Sequence, residues 1–196
     1  AHTADAAIEL YQVTMDEQWI EWAKGLAGYA MENFFDQNEN LFWFTDSKSD
    51  DLVARKKEIY DNVIPASNSV MGLVLFRLSK FYGTDAGTDL PGLMASQMAE
   101  YVKKFPSSFS NWARLIFYMN AGFKEIVITG PGARGILIQL YRFPFAARVL
   151  AGAESEASLP VFKNRFKSGE DMIYICSGHA CRHPVTTVEA AIGQLK

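Results

Sequence analysis

The chain has 196 residues, of which 49% are apolar and 13% aromatic, enough to bury a sizeable core in one large domain. Its formal net charge is -3 and no basic stripe is visible, so nucleic acid is not an expected partner. No apolar run reaches the roughly 18 residues of a membrane span, so we expect no membrane partner. There is no recognisable signal peptide, and the two cysteines do not make a secreted disulfide framework. We therefore expect a cytoplasmic protein.

The first part of the chain has the spacing of apolar side chains that is typical of helices. Apolar positions recur every three or four residues from Trp19 to Phe35, and Asp16 stands where the N-cap of this helix is expected. A short helix ends near Met15 before it, and an aromatic, strand-like run covers 41–45 after it. Three further apolar helices are predicted at 67–81, 93–105 and 109–120.

The period changes after Gly122, so we divide the chain into an α/α-hairpin region at 1–121 and a small α/β unit at 122–196. Strands are predicted at 125–130, 147–151 and 171–176, and helices at 135–141 and 187–195. This order favours a three- to four-stranded sheet with partly parallel pairing. The predicted fold class is mainly α with an α/β C-terminal unit.

Three stretches of the sequence together resemble one family. Residues 7–45 contain Leu-Tyr-x-x-Thr-x-Asp and Trp-Ile-x-x-Ala, residues 61–78 contain Asp-x-x-x-Pro-x-x-Asn-Ser, and residues 173–184 end in Cys, four residues, then Cys-x-x-Pro. In this order they resemble the C-terminal part of a family that pairs a thioredoxin-like domain with an (α/α) toroid. Its mammalian member is a spermatogenesis-associated protein. The toroid is similar to six-hairpin glycosidases and to N-acylglucosamine 2-epimerase.

The resemblance implies a fold and two kinds of partner. Residues 1–121 would form late hairpins of a partial toroid, and residues 122–196 would form its α/β cap. The early hairpins and the thioredoxin-like domain have no counterpart in this sequence. We therefore expect a missing N-terminal segment of a parent protein, or a homodimer, to cover the apolar edge of the open ring.

The strongest candidate for a small-molecule site is the polar loop that begins at Asp61, contains Pro65 and leads into the third predicted helix. Free N–H groups and the positive dipole end of a helix favour polar ligands there. The resemblance implies that such loops line the toroid cavity. Asp61 would then be a general acid or base, Asn68 a polar anchor and Trp43 a stacking platform for a sugar ring. Arg55 and Ser67 complete the predicted substrate-binding set.

A second interpretation of this loop is purely structural. Asp61 then braces the loop by accepting backbone N–H bonds, Ser67 is the helix N-cap, and the triplet at 55–57 is a solvated face. A glycosidase needs two carboxylates roughly 5–10 Å apart. Glu58 is close to Asp61 in sequence, but nothing in the sequence shows that the two face each other.

Two motifs in the α/β unit also have more than one interpretation. The first is a set of zinc-ligand residue types, Cys176, His179, Cys181 and His183. Four ligands this close leave too little chain for a tetrahedral site, so no metal is predicted. The cysteines are instead buried small residues or a disulfide-capable pair. The second motif, Gly-x-Gly-x-x-Gly at 130–135, suggests dinucleotide binding, but Pro131 removes one N–H donor and a plain turn is preferred.

The sequence thus supports two functional hypotheses of different classes. One is a carbohydrate-active or sugar-binding toroid of unassigned reaction, with a small carbohydrate as its partner. The alternative is a non-enzymatic interaction or scaffold module of a thioredoxin-domain protein. Neither needs a cofactor, and the sequence leaves open whether the chain is an enzyme.

Overall fold

The computed structural model describes residues 1–48, 54–83, 89–145, 147–178 and 180–195. About half of the chain is helical, with small sheets, which confirms an α-rich fold with an α/β unit. None of the described helices is both long enough and apolar enough to cross a membrane. The helices are α1 (His2–Thr14), α2 (Glu17–Asn33), α3 (Ser67–Tyr82), α4 (Leu90–Lys104), α5 (Ser110–Asn120), α6 (Ala133–Tyr141) and α7 (Val188–Leu195). The strands are β1 (Phe35–Asp36), β2 (Leu41–Phe42), β3 (Lys124–Thr129), β4 (Arg148–Ala153), β5 (Met172–Ser177) and β6 (Ala180–Cys181).

Helices α1 and α2 form a tight hairpin. Met15 follows α1 in the left-handed conformation, with φ 61°, and its N–H donates to the Tyr11 carbonyl oxygen at 2.8 Å. Asp16 is the N-cap of α2, as predicted, since its Oδ1 accepts a hydrogen bond from the Gln18 N–H at 3.1 Å. The chain therefore reverses within two residues and lays α2 against α1.

Helix α3 is the centre of the helical region, since it packs against α1, α2, α4 and α5. Gly72 lies where α3 meets α5. A Cβ atom on Gly72 would lie 2.8 Å from Leu115 Cδ2, so a side chain there would force Leu115 to move. The largest fully buried side chains of this core are Trp112, Tyr11, Phe81 and Phe109.

The α/β unit is built on a four-stranded sheet in the order β4-β3-β5-β6. β3 and β4 run parallel and are connected through α6, whereas β5 is antiparallel to both of its neighbours. This arrangement confirms the predicted partly parallel pairing. Ile128 and Leu150 pack with α6 and α7, whereas Val127 and Val149 belong to the core of the helical region.

The first helix is bonded directly to the sheet. The side-chain oxygen of Gln12, which is only 4% exposed, accepts a hydrogen bond from the Leu150 N–H of β4 at 2.8 Å. Met15 lies beside Gly152, where an added Cβ would be 3.0 Å from Met15 Cε. One core therefore extends across the predicted boundary between residues 121 and 122. The division into two domains at that point stays a prediction.

The aromatic run at 41–45 is only partly a strand. Leu41 and Phe42 pair with β1, and the strand ends there. Phe44 instead donates its N–H to the Lys56 carbonyl oxygen at 2.7 Å, and its side chain is 63% exposed. The strand is shorter than expected because the chain leaves β1 to pair with the segment that leads to Asp61.

Candidate functional site

Asp61 lies in the loop before α3 with its side chain turned into the protein, where it is 7% exposed. Oδ1 accepts hydrogen bonds from the Ala66 N–H at 2.9 Å and from the Ser69 hydroxyl at 2.8 Å. Oδ2 accepts one from the Asn111 N–H at 2.8 Å. The Asp61 N–H donates to the Ser108 carbonyl oxygen at 2.8 Å. The carboxylate thus joins the loop to α3 and to the first turn of α5.

Buried side chains complete this network. Ser69 is fully buried, and its hydroxyl oxygen accepts a hydrogen bond from Asn111 Nδ2 at 2.9 Å. Both oxygens of the Asp61 carboxylate therefore have partners within the protein. A general acid or base must exchange a proton with its substrate. Asp61 accepts three hydrogen bonds and keeps one acceptor site on Oδ2, but at 7% exposure its carboxylate offers little access to a substrate.

Helix α3 starts one residue earlier than the structural interpretation of the loop expects. Ala66, and not Ser67, is the N-cap residue, and its own side chain makes no capping bond. Two carboxylates reach the first N–H groups from outside the helix: Asp61 binds that of Ala66, and Glu58 Oε2 binds that of Ser67 at 3.0 Å. These acidic groups also complement the positive end of the helix dipole. The expected N-cap role of Ser67 is therefore wrong, and its half-buried side chain lies at the start of the helix.

Asn68 is completely buried in the first turn of α3 and holds β2 in place. Its Oδ1 accepts a hydrogen bond from the Phe42 N–H at 2.7 Å, and its Nδ2 donates to the Phe42 carbonyl oxygen at 2.8 Å. Nδ2 also donates to the Glu58 carbonyl oxygen at 2.9 Å. Asn68 therefore pairs with the backbone as a strand would, and it fixes the position of Trp43, the next residue after Phe42.

Trp43 is half-buried beside two cations. Lys57 Nζ lies 4.1 Å and the Arg55 guanidinium carbon 4.9 Å from the centroid of the indole ring. Arg55 Nη2 also donates to the Thr45 carbonyl oxygen at 2.6 Å. Lys57 forms an ion pair with Asp36 at 2.5 Å, and this hydrogen bond holds the pKa of the Asp36 carboxyl below its usual value.

The structure places the five predicted site residues in two groups. Asp61 and Ser67 lie at the start of α3, whereas Trp43 and Arg55 lie beside the β1–β2 hairpin. Asn68 connects the groups, because it belongs to α3 and binds the backbone next to Trp43.

Four further residues that make these contacts were not among the predicted site residues. Ser69 and Glu58 stand next to predicted residues in the sequence, so their proximity was a usable signal. Lys57 was visible only as part of a basic triplet. Asn111 is 50 positions from Asp61, and the apolar spacing that predicts α5 carries no signal for a polar residue at its start.

The glycine-rich turn after β3 is shaped by Asp171. The Gly132 N–H donates to Asp171 Oδ1 at 2.7 Å. Gly130 has φ 120°, and a Cβ on it would lie 2.4 Å from the Glu170 carbonyl oxygen. A Cβ on Gly132 would lie 2.4 Å from Asp171 Oδ2. The close approach of Glu170 and Asp171 thus accounts for both glycines, and an N–H that the dinucleotide interpretation assigns to a phosphate binds a carboxylate of the protein.

Cys176 and Cys181 form a disulfide bond between β5 and β6. Of the interpretations left open by the sequence, the structure therefore selects the disulfide. Paired cysteines offer no thiolate to a metal ion. Within the described ranges, no three His, Cys, Asp or Glu side chains are grouped so as to hold a metal. His179, a member of the same predicted set, lies outside the described residues.

The chain is distantly homologous to spermatogenesis-associated protein 20. It is 26% identical over 192 residues to the protein from Mus musculus, 25% over 191 residues to that from Rattus norvegicus and 24% over 192 residues to that from Homo sapiens. Each alignment covers 91% of this chain and 24% of the relative, so the chain spans about a quarter of the length of the curated relatives it matches. No protein-family model matches the chain.

Proposed function

We propose that this chain is a non-enzymatic interaction module, a section of an (α/α) toroid that docks onto further helical hairpins. One contrast within the loop at 61–64 carries the proposal. Asp61 is buried and bonded on both oxygens, whereas Val63 is 95% and Ile64 64% exposed. The loop is therefore held in place while it presents two aliphatic side chains to solvent.

The aliphatic pair belongs to a larger exposed surface, here called the loop face, made of Tyr60, Val63, Ile64, Tyr101 and Phe105. Tyr60 and Tyr101 both pack on the buried ring of Phe109, with ring centroids 5.1 and 5.4 Å from it. This shared neighbour puts α4 and the Asp61 loop on one side of the protein. Exposed apolar surface that is grouped in this way marks interaction sites.

Docking through the loop face would be favourable for two reasons. Full burial of an exposed Val or Ile side chain contributes roughly 1.5–3 kcal/mol. The Asp61 hydrogen bonds already order the loop, so little conformational entropy is lost on binding. In this role Asp61 supports a contact surface and needs no proton transfer.

The partner that we propose is the apolar face of another helical hairpin in a longer protein. The curated relatives are about four times as long as the region that matches this chain, which supports such a neighbour. The resemblance to a toroid supports it as well, because each hairpin of a ring packs on the next. A second copy of this chain is the competing occupant, and it would bury the loop face in a symmetric dimer.

Reconstitution from two pieces tests this proposal. The part of the mouse relative outside the matched region is immobilised, and binding of this chain is measured beside the mouse protein's own matched segment as positive control. We expect binding that weakens about tenfold or more in the Val63→Ser/Ile64→Ser double variant. The matched control is Val13→Ser on α1, where the side chain is 49% exposed, and its binding should be unchanged.

Three outcomes would contradict the proposal. The first is that the mouse segment binds and this chain does not. The second is that the double variant binds as well as the parent chain. The third is that sedimentation velocity shows a stable dimer of this chain that the double variant abolishes.

The cluster around Trp43 favours a second candidate function, a carbohydrate-active or sugar-binding toroid. Arg55 and Lys57 place hydrogen-bond donors beside the indole ring. Two buried polar atoms, Thr45 Oγ1 and Arg55 Nε, have no hydrogen-bond partner among the described residues. In this second proposal the sugar binds to Trp43, Arg55, Ser67 and Asn68, and Asp61 is the acid or base.

A thermal-shift screen of sugars and sugar phosphates tests this second candidate. A ligand that binds only the folded protein raises its unfolding temperature with concentration. We expect that the rise is lost in Trp43→Ala and kept in Trp22→Ala, which removes a 48% exposed tryptophan of α2. The absence of a shift with every sugar, or an equal shift in both variants, would exclude sugar binding at Trp43.

We further propose a cytoplasmic location, which bears on the Cys176–Cys181 bond because cytosolic thiols are kept reduced. Alkylation of thiols in intact cells, followed by mass spectrometry, measures the state of both cysteines. A cytoplasmic protein should give mostly alkylated cysteines, whereas a fully retained disulfide would contradict this location.

A further inference from the structure

A small polar cleft lies where the helical region meets the α/β unit. Its volume is about 140 Å³. Pockets for drug-sized ligands measure roughly 300–1,000 Å³, so this cleft suits a small chemical group. It is separate from the Asp61 loop, because Arg77 lies ten residues beyond Ser67 on α3, roughly 15 Å along the helix axis. The charged side chains that line the cleft are Glu9, Arg77, Arg114 and Arg148.

Arg77 is paired with two carboxylates of α1, those of Asp5 and Glu9. The Arg77 side chain is 3% exposed, and its two terminal nitrogens lie 2.6 Å from Asp5 Oδ1 and 2.5 Å from Glu9 Oε1. The other oxygen of Glu9 accepts a hydrogen bond from Gln12 Nε2 at 3.0 Å. The carboxylates at this end of α1 are therefore engaged by Arg77.

Arg148 contacts only neutral acceptors among the described residues. Its Nη1 donates to the Phe143 carbonyl oxygen at 2.6 Å and its Nη2 to the Tyr141 carbonyl oxygen at 3.3 Å. The Tyr141 and Phe145 rings lie with their centroids 5.6 Å from its guanidinium carbon. Burial lowers the pKa of this guanidinium from its usual value, and the negative charge of Glu9, which lines the same cleft, only partly opposes this.

Arg114 lies on α5 and lines the cleft. Like Arg148, it contacts a neutral acceptor. Its Nε donates to the Tyr118 hydroxyl oxygen at 2.9 Å, and no carboxylate of the described residues pairs with it or with Arg148. A guanidinium has five N–H donors. Most of the donors on Arg114 and Arg148 thus remain for a ligand, and the Tyr118 hydroxyl hydrogen is a further donor.

We propose that this cleft binds a phosphate group, either as free phosphate or as part of a small metabolite, through Arg114 and Arg148. The three guanidinium groups outnumber the two carboxylates, Asp5 and Glu9, so the cleft has an excess of positive charge. The planar donor array of arginine matches the oxygens of a phosphate, which it binds in a bidentate manner. Since Arg114 is on α5 and Arg148 on β4, the anion would also connect the helical region to the sheet.

Calorimetric titration with inorganic phosphate tests the proposal, at an ionic strength held constant with sodium chloride. We expect saturable binding that weakens about tenfold in Arg114→Gln, because one set of charge-assisted hydrogen bonds is lost. Arg148→Lys keeps the charge without the planar fork, and it should weaken binding to a similar degree. Arg182→Gln, at an exposed arginine after β6, is the charge-matched control and should bind within about twofold of the parent chain.

Two further measurements make the test specific. Phosphate should shift the Nε–H resonances of Arg114 and Arg148, and not that of Arg182, in ¹⁵N NMR spectra. Glycerol phosphate distinguishes the two sources: tighter binding than inorganic phosphate indicates a phosphorylated metabolite, and equal binding indicates free phosphate. The proposal is overturned if phosphate has no more effect than chloride, or if Arg114→Gln and Arg182→Gln bind phosphate equally well.

Discussion

Asp61 Oδ2 accepts a hydrogen bond from the Asn111 N–H at 2.8 Å, although the two residues are 50 positions apart in the chain. The same carboxylate binds the Ala66 N–H at the start of α3. One side chain thus fixes the relative position of a loop and two helices. Replacement of Asp61 should therefore lower the stability of the protein.

Asp61→Asn is expected to destabilise the protein. The new amide nitrogen is a donor, and it must face at least one of the N–H or O–H donors that now bind the carboxylate. An unsatisfied buried group and the loss of charge-assisted bonds together cost about 2–3 kcal/mol. Urea unfolding measures this loss, and Glu156→Gln, at an exposed carboxylate, should leave the unfolding free energy unchanged. The sugar-turnover proposal makes the opposite prediction, that Asp61→Asn loses activity while the fold keeps its stability.

Removal of the Arg77 guanidinium and removal of its two carboxylate partners should lower the free energy of unfolding by different amounts. The side chain of Arg77 is 3% exposed, whereas those of Asp5 and Glu9 are 32% and 46% exposed. In Arg77→Met the carboxylates can hydrate, so we expect a loss of about 1–2 kcal/mol after allowance for solvent screening. In Asp5→Asn/Glu9→Gln a buried cation stays without a counter-charge, and the loss should be about 3 kcal/mol or more. Equal losses in thermal or urea unfolding would contradict this ranking.

Lys57→Gln should raise the pKa of Asp36 towards its usual value of 3.8, because the hydrogen bond from Lys57 is the main cause of the lowered pKa. A lowered folded-state pKa stabilises the protein above the unfolded-state pKa, and this contribution is lost as the pH falls through the folded-state pKa. The free energy of unfolding of the variant should therefore fall less than that of the parent chain as the pH is lowered in the acid range. A ¹³C NMR titration of the Asp36 carboxyl measures the pKa, with Lys24→Gln as a control at an exposed pair. An unchanged Asp36 titration in Lys57→Gln would refute the assignment.

Reduction of the Cys176–Cys181 bond should lower the free energy of unfolding by roughly 2 kcal/mol, the value expected for a loop of this short length. The comparison is between oxidised and dithiothreitol-treated protein in urea. Cys176→Ser/Cys181→Ser has no bond to lose and should be insensitive to the reductant. If reduction changes the parent chain and this variant alike, the effect does not come from the disulfide.

Two glycines that are close in sequence, Gly130 in the turn after β3 and Gly135 in α6, should respond in opposite directions to replacement by alanine. Gly130→Ala places a Cβ 2.4 Å from the Glu170 carbonyl oxygen at a φ of 120°, so unfolding should occur at a clearly lower temperature. Gly135 lies within α6 with nothing within 4 Å of an added Cβ, and Gly135→Ala should stabilise the helix by roughly 0.5–1 kcal/mol. Differential scanning calorimetry of both variants checks the two signs. A stabilising effect of Gly130→Ala would mean that Asp171 and Glu170 do not lie where they are described.

Local signals in the sequence were sufficient for most helices and strands. Asp16 was predicted as an N-cap from its residue type and from the apolar period that follows it. The change of period after Gly122 and the short apolar run predict the buried strand at 125–130. Such features depend on neighbours within a few residues, so a single sequence contains them.

The parts that were missed depend on contacts between distant residues. Glu58 and Asp61 are close to Ser67 in sequence, but only the folded loop shows that they bind the first N–H groups of α3 in its place. The glycines at 130 and 132 indicated a tight turn, but the carboxylate that fills it comes from Asp171. For the candidate site, the sequence predicts the loop that contains Asp61, whereas Asn111, a hydrogen-bond partner of Asp61, is apparent only in three dimensions.

The bond between Gln12 and Leu150 also affects how the protein folds during its synthesis. The two residues are 138 positions apart, so at about 5–20 residues per second a ribosome delivers β4 roughly 7 to 30 seconds after α1. During that interval the side of α1 that faces the sheet has no partner. We therefore expect this side of α1 to stay exposed on the nascent chain until β4 emerges.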